Sequence, residues 1–274
     1  MIDYSGKNIL ITGGSKGIGR AISLQLAEAG ANLMIVARDL KALKEVINEI
    51  KELKAGKVAY YSADVTNKGQ IKKAVQETLK QFGKIDGVIH NAGFARPDYF
   101  ENLSLEIFEK HVNVDYMGAI NVLQAAFPYL SNGAFISVTS SVVGYMGVFG
   151  YTAYAGPKFA LIGFAQSLRQ ELKPKGISIS VLCPPDTHTP GYEQENETKP
   201  FETAALSEGA SLMQPEQVAK VFLKGLQRRR FMILCNFESK LFYRLQGWFP
   251  GLVRIVMDSM ISKAQKKKIL KKKD

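Results

Sequence analysis

Residues 7–30 read KNILITGGSKGIGRAISLQLAEAG, and three kinds of local chemistry follow one another without a break. Asn8 to Thr12 is a short aliphatic run of the kind that forms a strand buried on both faces. Gly13-Gly14-Ser15-Lys16-Gly17-Ile18-Gly19 turns the chain, and from Arg20 the apolar residues recur at helical period until Gly30. The glycines let the backbone turn tightly and approach a pyrophosphate, while the start of the helix aims unpaired N–H groups at the anion. A glycine cluster alone is only a turn. Set between a buried strand and a helix, it predicts a dinucleotide-binding unit in which Gly13, Ser15, Lys16, Gly17, Ile18 and Gly19 line the phosphate path.

The alternation then repeats. Asn32–Ala37 is the next strand, and it ends on Ala37-Arg38 where a site built for NAD would carry an acidic side chain. Arg38 and Lys16 point instead to the 2′-phosphate of NADP, whose oxygens a guanidinium grips in its fixed fork. Asp39 either opposes that pocket or caps the helix over 40–54. Strand 57–62 leads to Asp64 and Val65, where Asp64 can serve the adenine amino group and, compatibly, the cap of a helix beginning at Asn67. Helix 68–82 and strand 85–90 deliver Asn91-Ala92-Gly93, small enough for close approach to the adenosine side, or simply a loop. Residues 104–130 keep one helical period and place Asn113 inside a single long helix. Strands at 135–140, 177–183 and 231–235, with helices at 152–172 and 215–227, complete the pattern. It predicts an α/β fold over residues 1–236, Rossmann-type and doubly wound, with a seven-stranded parallel sheet and helices on both faces.

Residues 135–164, FISVTSSVVGYMGVFGYTAYAGPKFALIGF, hold the reactive pair. A helix starting near Thr152 places Tyr154 and Lys158 on one face, with Pro157 tolerated in its first turn. The ammonium beside the phenol favours the phenolate, so Tyr154 is expected below its ordinary value near 10. Many helices carry a tyrosine and a lysine at this spacing, so the pair acquires meaning only from the rest of the chain.

At 274 residues and 46% hydrophobic, the chain supports one substantial core. Cys183 and Cys235 lie far apart in apolar runs, as free thiols do in a reducing compartment, and no metal-ligand spacing occurs. Neither a signal peptide nor an apolar run of spanning length is expected. The net charge is +11, of which residues 263–274, KAQKKKILKKKD, supply seven lysines against one aspartate. No recognition fold or aromatic platform accompanies that charge, so no nucleic-acid partner is expected. Residues 238–262 are rich in apolar side chains, with Tyr243 and Trp248 among them. They form either an interfacial membrane anchor or a packing face for a dimer or domain. On the anchor alternative, 237–274 is an amphipathic, lysine-rich membrane-associating segment.

Taken together, Thr12–Gly19 as TGxxxGIG, Asp64, Asn91-Ala92-Gly93, Asn113, Ser141, Tyr154 and Lys158 as YxxxK resemble the short-chain dehydrogenase/reductase family over roughly residues 5–236. Within it, PPDTHTPGY at 184–192 and the acidic, Thr-rich stretch to Thr203 look like the 3-ketodihydrosphingosine reductase subgroup. His188 and Gly156-Pro157 depart from the commoner patterns. The resemblance implies NADPH-dependent reduction of a long-chain sphingoid ketone. Tyr154 would be the acid, Lys158 would also hold the nicotinamide ribose, and Ser141, with Ser140 as the alternative, would orient the carbonyl. Asn113 would support a water behind Lys158. Pro184 and Thr187 join the coenzyme set by the same resemblance. Residues 186–214 are read as a substrate loop. Phe94, Tyr145, Met146, Val148, Phe149, Tyr192 and Phe201 are candidates for an apolar channel, and Asp186, His188 and Glu195 for the amino-alcohol head.

Rival substrates are a 3-ketoacyl thioester or a steroid. A nucleotide-binding regulator would be expected had Tyr154 or Lys158 been lost. A homodimer or homotetramer is expected. So is a cytoplasmic, peripherally membrane-associated location, at a bacterial inner-membrane face or the cytosolic face of the endoplasmic reticulum.

Overall fold

Period-two alternation decides which side of the sheet each strand residue feeds. In the computed structural model, which describes residues 1–53, 56–209 and 211–270, the first half of the chain runs β1 (Asn8–Thr12), α1 (Gly17–Glu28), β2 (Asn32–Ala37), α2 (Leu40–Glu52), β3 (Val58–Ser62), α3 (Lys68–Phe82), β4 (Ile85–His90), α4 (Leu105–His111) and α5 (Gly118–Ala126). The second half runs β5 (Leu130–Thr139), α6 (Thr152–Leu172), β6 (Ser178–Cys183), α7 (Pro190–Thr198), α8 (Phe201–Glu208), α9 (Pro215–Gln227), β7 (Met232–Leu234), α10 (Phe237–Trp248) and α11 (Pro250–Leu270).

The strands form one parallel seven-stranded sheet in the order β3-β2-β1-β4-β5-β6-β7. Ile9, Ile11, Leu33 and Ile35 feed the core closed by α1, α2 and α9. Leu10, Met34 and Val36 feed the opposite core, with α3, α5 and α6. Side chains such as Leu26 and Phe222 are fully buried, each contributing roughly 1.5–3 kcal/mol of hydrophobic transfer. The expected doubly wound sheet is present, and its direction of winding reverses between β1 and β4. That reversal opens a crevice at the carboxyl ends of those two strands.

Several local expectations need correction. The helix expected over 104–130 is broken, because Val112–Met117 forms a wide π-type turn whose closing bond runs from the Gly118 N–H to the Asn113 carbonyl. Asn67, not Asp64, caps α3 by accepting from the Gln70 amide at 3.0 Å. Asp64 instead binds the amide and hydroxyl of Thr66, each at 2.8 Å. Asp39 does cap α2, accepting from the Ala42 amide at 3.1 Å. Pro157 lies in the second turn of α6, not the first, so the Ala153 carbonyl loses the helical donor it would otherwise receive. Strand β5 begins at Leu130, earlier than the period indicates.

The carboxyl-terminal helices pack against the strand ends. Tyr145 donates to the Ser239 carbonyl at 2.9 Å and meets Tyr243 edge-on, while Val253 of α11 is buried. Lys268 reaches the Tyr99 hydroxyl at 3.2 Å, and Tyr99 in turn donates to Glu202 of α8 at 2.7 Å. Residues 271–274 of the lysine-rich tail, and Ala210 of the 186–214 segment, lie outside the described residues.

Candidate active site

A cavity of about 830 Å³ runs along the carboxyl ends of the strands. Its floor at the switch point is made of Gly13, Ser15, Lys16, Gly17 and Ile18 on one side and Asn91-Ala92-Gly93 on the other. Gly13 and Gly17 have φ of +66° and +52°, conformations that other residues adopt only under strain. A Cβ on Gly19 would sit 2.0 Å from the Gly13 carbonyl oxygen, so the turn closes on itself without room for a side chain. No side chain caps α1, leaving its first N–H groups directed at the cavity. Asn91 ties the two loops together, bonded to the Gly13 carbonyl at 3.4 Å and to the Thr139 hydroxyl at 3.1 Å. These features fit a dinucleotide pyrophosphate.

Arg38, Asp39, Asp64 and Val65 line the far end. Asp39 is engaged twice, as the cap of α2 and with Lys16 Nζ at 2.6 Å, and this lysine contact, followed by the Ala42 amide, holds its carboxyl below the usual range. The Arg38 guanidinium is well exposed and only loosely paired with Asp64, at 3.8 Å.

Tyr154, Lys158 and Ser141 meet at the inner end, at the start of α6 and the end of β5. Ser141 accepts from the Val143 amide at 3.2 Å, which leaves its hydroxyl proton free to donate. Ser140 is spent on structure: its hydroxyl is buried and donates to the Lys158 carbonyl at 2.8 Å. Lys158 Nζ donates to the Thr139 carbonyl at 3.1 Å and lies 3.3 Å from Asp115 Oδ1 and 5.2 Å from the centre of the Tyr154 ring.

The expectation that Lys158 lowers the Tyr154 phenol is not met. Burial, followed by the carboxylates of Asp115 and Glu195, pushes it well above its ordinary value, against a hydrogen bond from Ser141 that pulls it down. Such a phenol keeps its proton through neutral pH.

Asn113 also requires correction. It is exposed and outside the cavity, whereas Asp115, two residues on, is buried against Lys158. The role of Asn113 comes from the resemblance, and across the wide turn at Val112–Met117 it is Asp115 that reaches Lys158. Reasoning from sequence missed Asp115 and its partner His111. The available signal was an aspartate in an apolar run, four residues after a histidine, which a helix brings to one face.

Of the substrate candidates, Phe94, Met146, Val148, Asp186, Tyr192 and Glu195 line the cavity. Tyr145 does not; its hydroxyl is occupied by Ser239. Phe149 packs edge-on against Tyr99, 5.9 Å between ring centres, and neither it nor Phe201 is in the lining. His188 turns to a neighbouring hollow, 3.5 Å from Glu193. Pro184 and Thr187 are also in the lining. Residues 186–214 carry two short helices, α7 and α8, pinned by a bridge between Thr187 and Met213. Glu195 on α7 accepts from Tyr151 at 2.8 Å, and burial raises its carboxyl to about 7. Phe242, Met257 and Met260 of α10 and α11 extend the apolar lining that Phe94, Met146 and Val148 begin.

Residues 7–200 match the family model described as short chain dehydrogenase. The chain is 39% identical to the 3-ketodihydrosphingosine reductase of Dictyostelium discoideum, covering 90% of this chain and 79% of that protein. It is 35% identical to the 3-dehydrosphinganine reductase of Danio rerio, covering 84% and 71%. It is also 35% identical to a 3-oxoacyl-(acyl-carrier-protein) reductase of Thermotoga maritima, covering 80% and 89%. Among solved structures, a short chain dehydrogenase/reductase from Burkholderia phymatum in complex with NAD superposes with a TM-score of 0.81 at 24% identity, covering 92% of this chain and 96% of that one.

Proposed function

The chain belongs to the short chain dehydrogenase family, and from that premise we propose that it reduces 3-ketodihydrosphingosine to dihydrosphingosine with NADPH, at a membrane surface. One observation carries the proposal. Tyr154, Ser141 and Lys158 converge in a cavity that continues from a dinucleotide groove to an apolar wall of Phe242, Met257 and Met260. A polar reacting end joined to an apolar flank suits a ketone on a long alkyl chain.

Held by the glycine turn and by Asn91-Ala92-Gly93, a nicotinamide coenzyme would supply a hydride to the carbonyl carbon. Ser141 donates to the carbonyl oxygen and fixes its orientation. Tyr154 transfers its proton to that oxygen, so little charge develops there, and regains a proton from solvent. Lys158, held by Thr139 and Asp115 and 5.2 Å from the centre of the Tyr154 ring, keeps the phenol side chain in place and would hold the coenzyme's nicotinamide ribose. Asp186 and Glu195 offer carboxylates to the substrate's ammonium group, which a thioester or steroid lacks. Arg38, with the acidic Asp39 already engaged, favours the 2′-phosphate of NADPH over NADH.

NADPH oxidation with detergent-presented 3-ketodihydrosphingosine, compared with a 3-ketoacyl thioester and a steroid ketone, tests the assignment. Preference for the sphingoid ketone is expected, with turnover falling at least about 100-fold in Tyr154→Phe. Preference for the thioester would keep the chemistry and overturn the substrate. Arg38→Ala should raise the KM for NADPH about tenfold while leaving that for NADH within about twofold, since it removes a charge-assisted contact to one coenzyme only. Equal effects on both would remove the 2′-phosphate contact.

A further inference from the structure

Behind Lys158 lies a carboxylate with a support structure of its own. Asp115 and His111 are both fully buried, and His111 Nδ1 lies 2.8 Å from Asp115 Oδ2. The other carboxylate oxygen accepts from the Phe94 amide at 3.1 Å and meets Lys158 Nζ at 3.3 Å. His111 Nε2 is buried without a partner among the described residues, so the ring carries its proton on Nδ1 and donates it to Asp115. Phe94 stacks flat on His111, ring centres 4.1 Å apart, and Tyr154 meets the same imidazole edge-on at 5.7 Å. Gly93 makes room for the group: a Cβ there would stand 2.6 Å from Asp115 Oδ1 and 3.2 Å from Lys158 Nζ.

A buried carboxylate fixed by three donors on three separate segments is costly to assemble unless its charge is used. We propose that Asp115, oriented by His111 and the Phe94 amide, is a positioning residue that offsets the charge of Lys158 at the Tyr154 phenol. Tyr154 is thereby kept in the proton-bearing form that ketone reduction requires. The arrangement favours the reductive direction, because alcohol oxidation needs the phenolate as base. It presupposes the role of Tyr154 proposed above, but not the identity of the ketone.

The other groups facing this pair are His90 from β4, Cys183 from β6, Tyr151 just before α6, and Asp186 and Glu195 across the cavity. His90 is pushed down to about 3 by burial, then by Lys158, so it does not titrate in an assay. Burial raises the Cys183 thiol and the Tyr151 phenol. Glu195 titrates at about 7, well below the limb at issue.

The test is the pH profile of kcat/KM for the ketone at saturating NADPH, in wild type and Asp115→Asn, which keeps the shape and an acceptor for Phe94 but drops the charge. The assay ketone is 3-ketodihydrosphingosine or, should that not be turned over, a 3-ketoacyl thioester. The descending alkaline limb of Asp115→Asn is expected about one pH unit or more below that of wild type. Superimposed profiles would overturn the role of Asp115 alone, provided Tyr154→Phe is inactive. Retained turnover in Tyr154→Phe would overturn the acid assignment and this proposal with it. If Asp115→Asn is not recovered folded, His111→Leu serves in its place. Losing the Nδ1 donor that orients the carboxylate should move the alkaline limb downward, as in Asp115→Asn but by less, with KM little changed, and an unmoved limb would overturn the proposal.

Discussion

At the scale of single residues, Glu195 makes pH visible. Its carboxyl has a folded value of about 7 against an ordinary 4.5, with burial as the main cause. The folded protein therefore binds this proton more readily than the unfolded chain does. Stability from this group is fully present below pH 4.5 and is lost as pH rises through about 7. Glu195→Gln removes the charge but not the shape, so its Tm should exceed that of wild type by a few degrees at about pH 8 and approach it at about pH 5. A pH-independent difference in thermal scans would show that Glu195 does not titrate in this window. Asn113→Ala, at an exposed position outside the cavity, should leave kcat within about twofold. Asn113 and Asp115 are two residues apart in one apolar run, and only the extra residue in the turn at Val112–Met117 decides which of them faces Lys158. A helical wheel drawn at 3.6 residues per turn has no access to that choice.

At the scale of elements, the cleanest agreement is where caps and breakers are local. Helices 68–82 and 215–227 begin and end where expected, the first at an Asn67 cap and a Gly83 stop, the second at Gln214-Pro215. Helix α6 likewise begins at Thr152 and ends at Leu172. The glycine turn carries an element-level prediction. Gly19→Ala forces a Cβ into the Gly13 carbonyl at 2.0 Å, where the obstacle is backbone that no rotamer change relieves. Coenzyme affinity should fall more than about tenfold, measured by fluorescence titration, with a loss of stability of about 1–3 kcal/mol. Wild-type affinity in that variant would mean that the turn opens without cost. Tyr145 was expected in the substrate channel but ties α10 to the sheet edge through Ser239. Tyr145→Phe should therefore cost about 1 kcal/mol in denaturant unfolding with the KM for the ketone unchanged.

For the whole molecule, α10 and α11 are two-sided. Phe242, Met257 and Met260 line the cavity, while Trp248, Phe249, Leu252 and Ile255 are exposed at 72%, 56%, 52% and 67%. No helix among the described residues is long and apolar enough to cross a membrane. An exposed apolar face flanked by lysines is the pattern of an interfacial helix. The double change Leu252→Glu with Ile255→Glu should cut partitioning to anionic liposomes about tenfold or more while leaving Tm nearly unchanged. Undiminished partitioning would assign the face to protein packing instead. Truncation after Asn236 is a poorer probe, since it also removes the apolar wall of the cavity.

What the sequence determined by itself is the β-α alternation, the sheet it builds, the glycine turn with its coenzyme groove, and the Tyr154–Lys158 pair. Each depends on neighbours within a few residues, through period, capping and backbone freedom, or on strand alternation that repeats along the chain. Only the tertiary structure decided which groups surround that pair. Asp115 replaced Asn113 because of a one-residue insertion in helical geometry, while Tyr145 bonds to Ser239 of α10, Phe149 packs on Tyr99 and His188 pairs with Glu193, all away from the cavity. The Tyr154 phenol rose instead of falling because burial and two carboxylates distant in sequence, Asp115 and Glu195, act on it. Electrostatics sums over everything near in space, and spacing along the chain records only part of that neighbourhood.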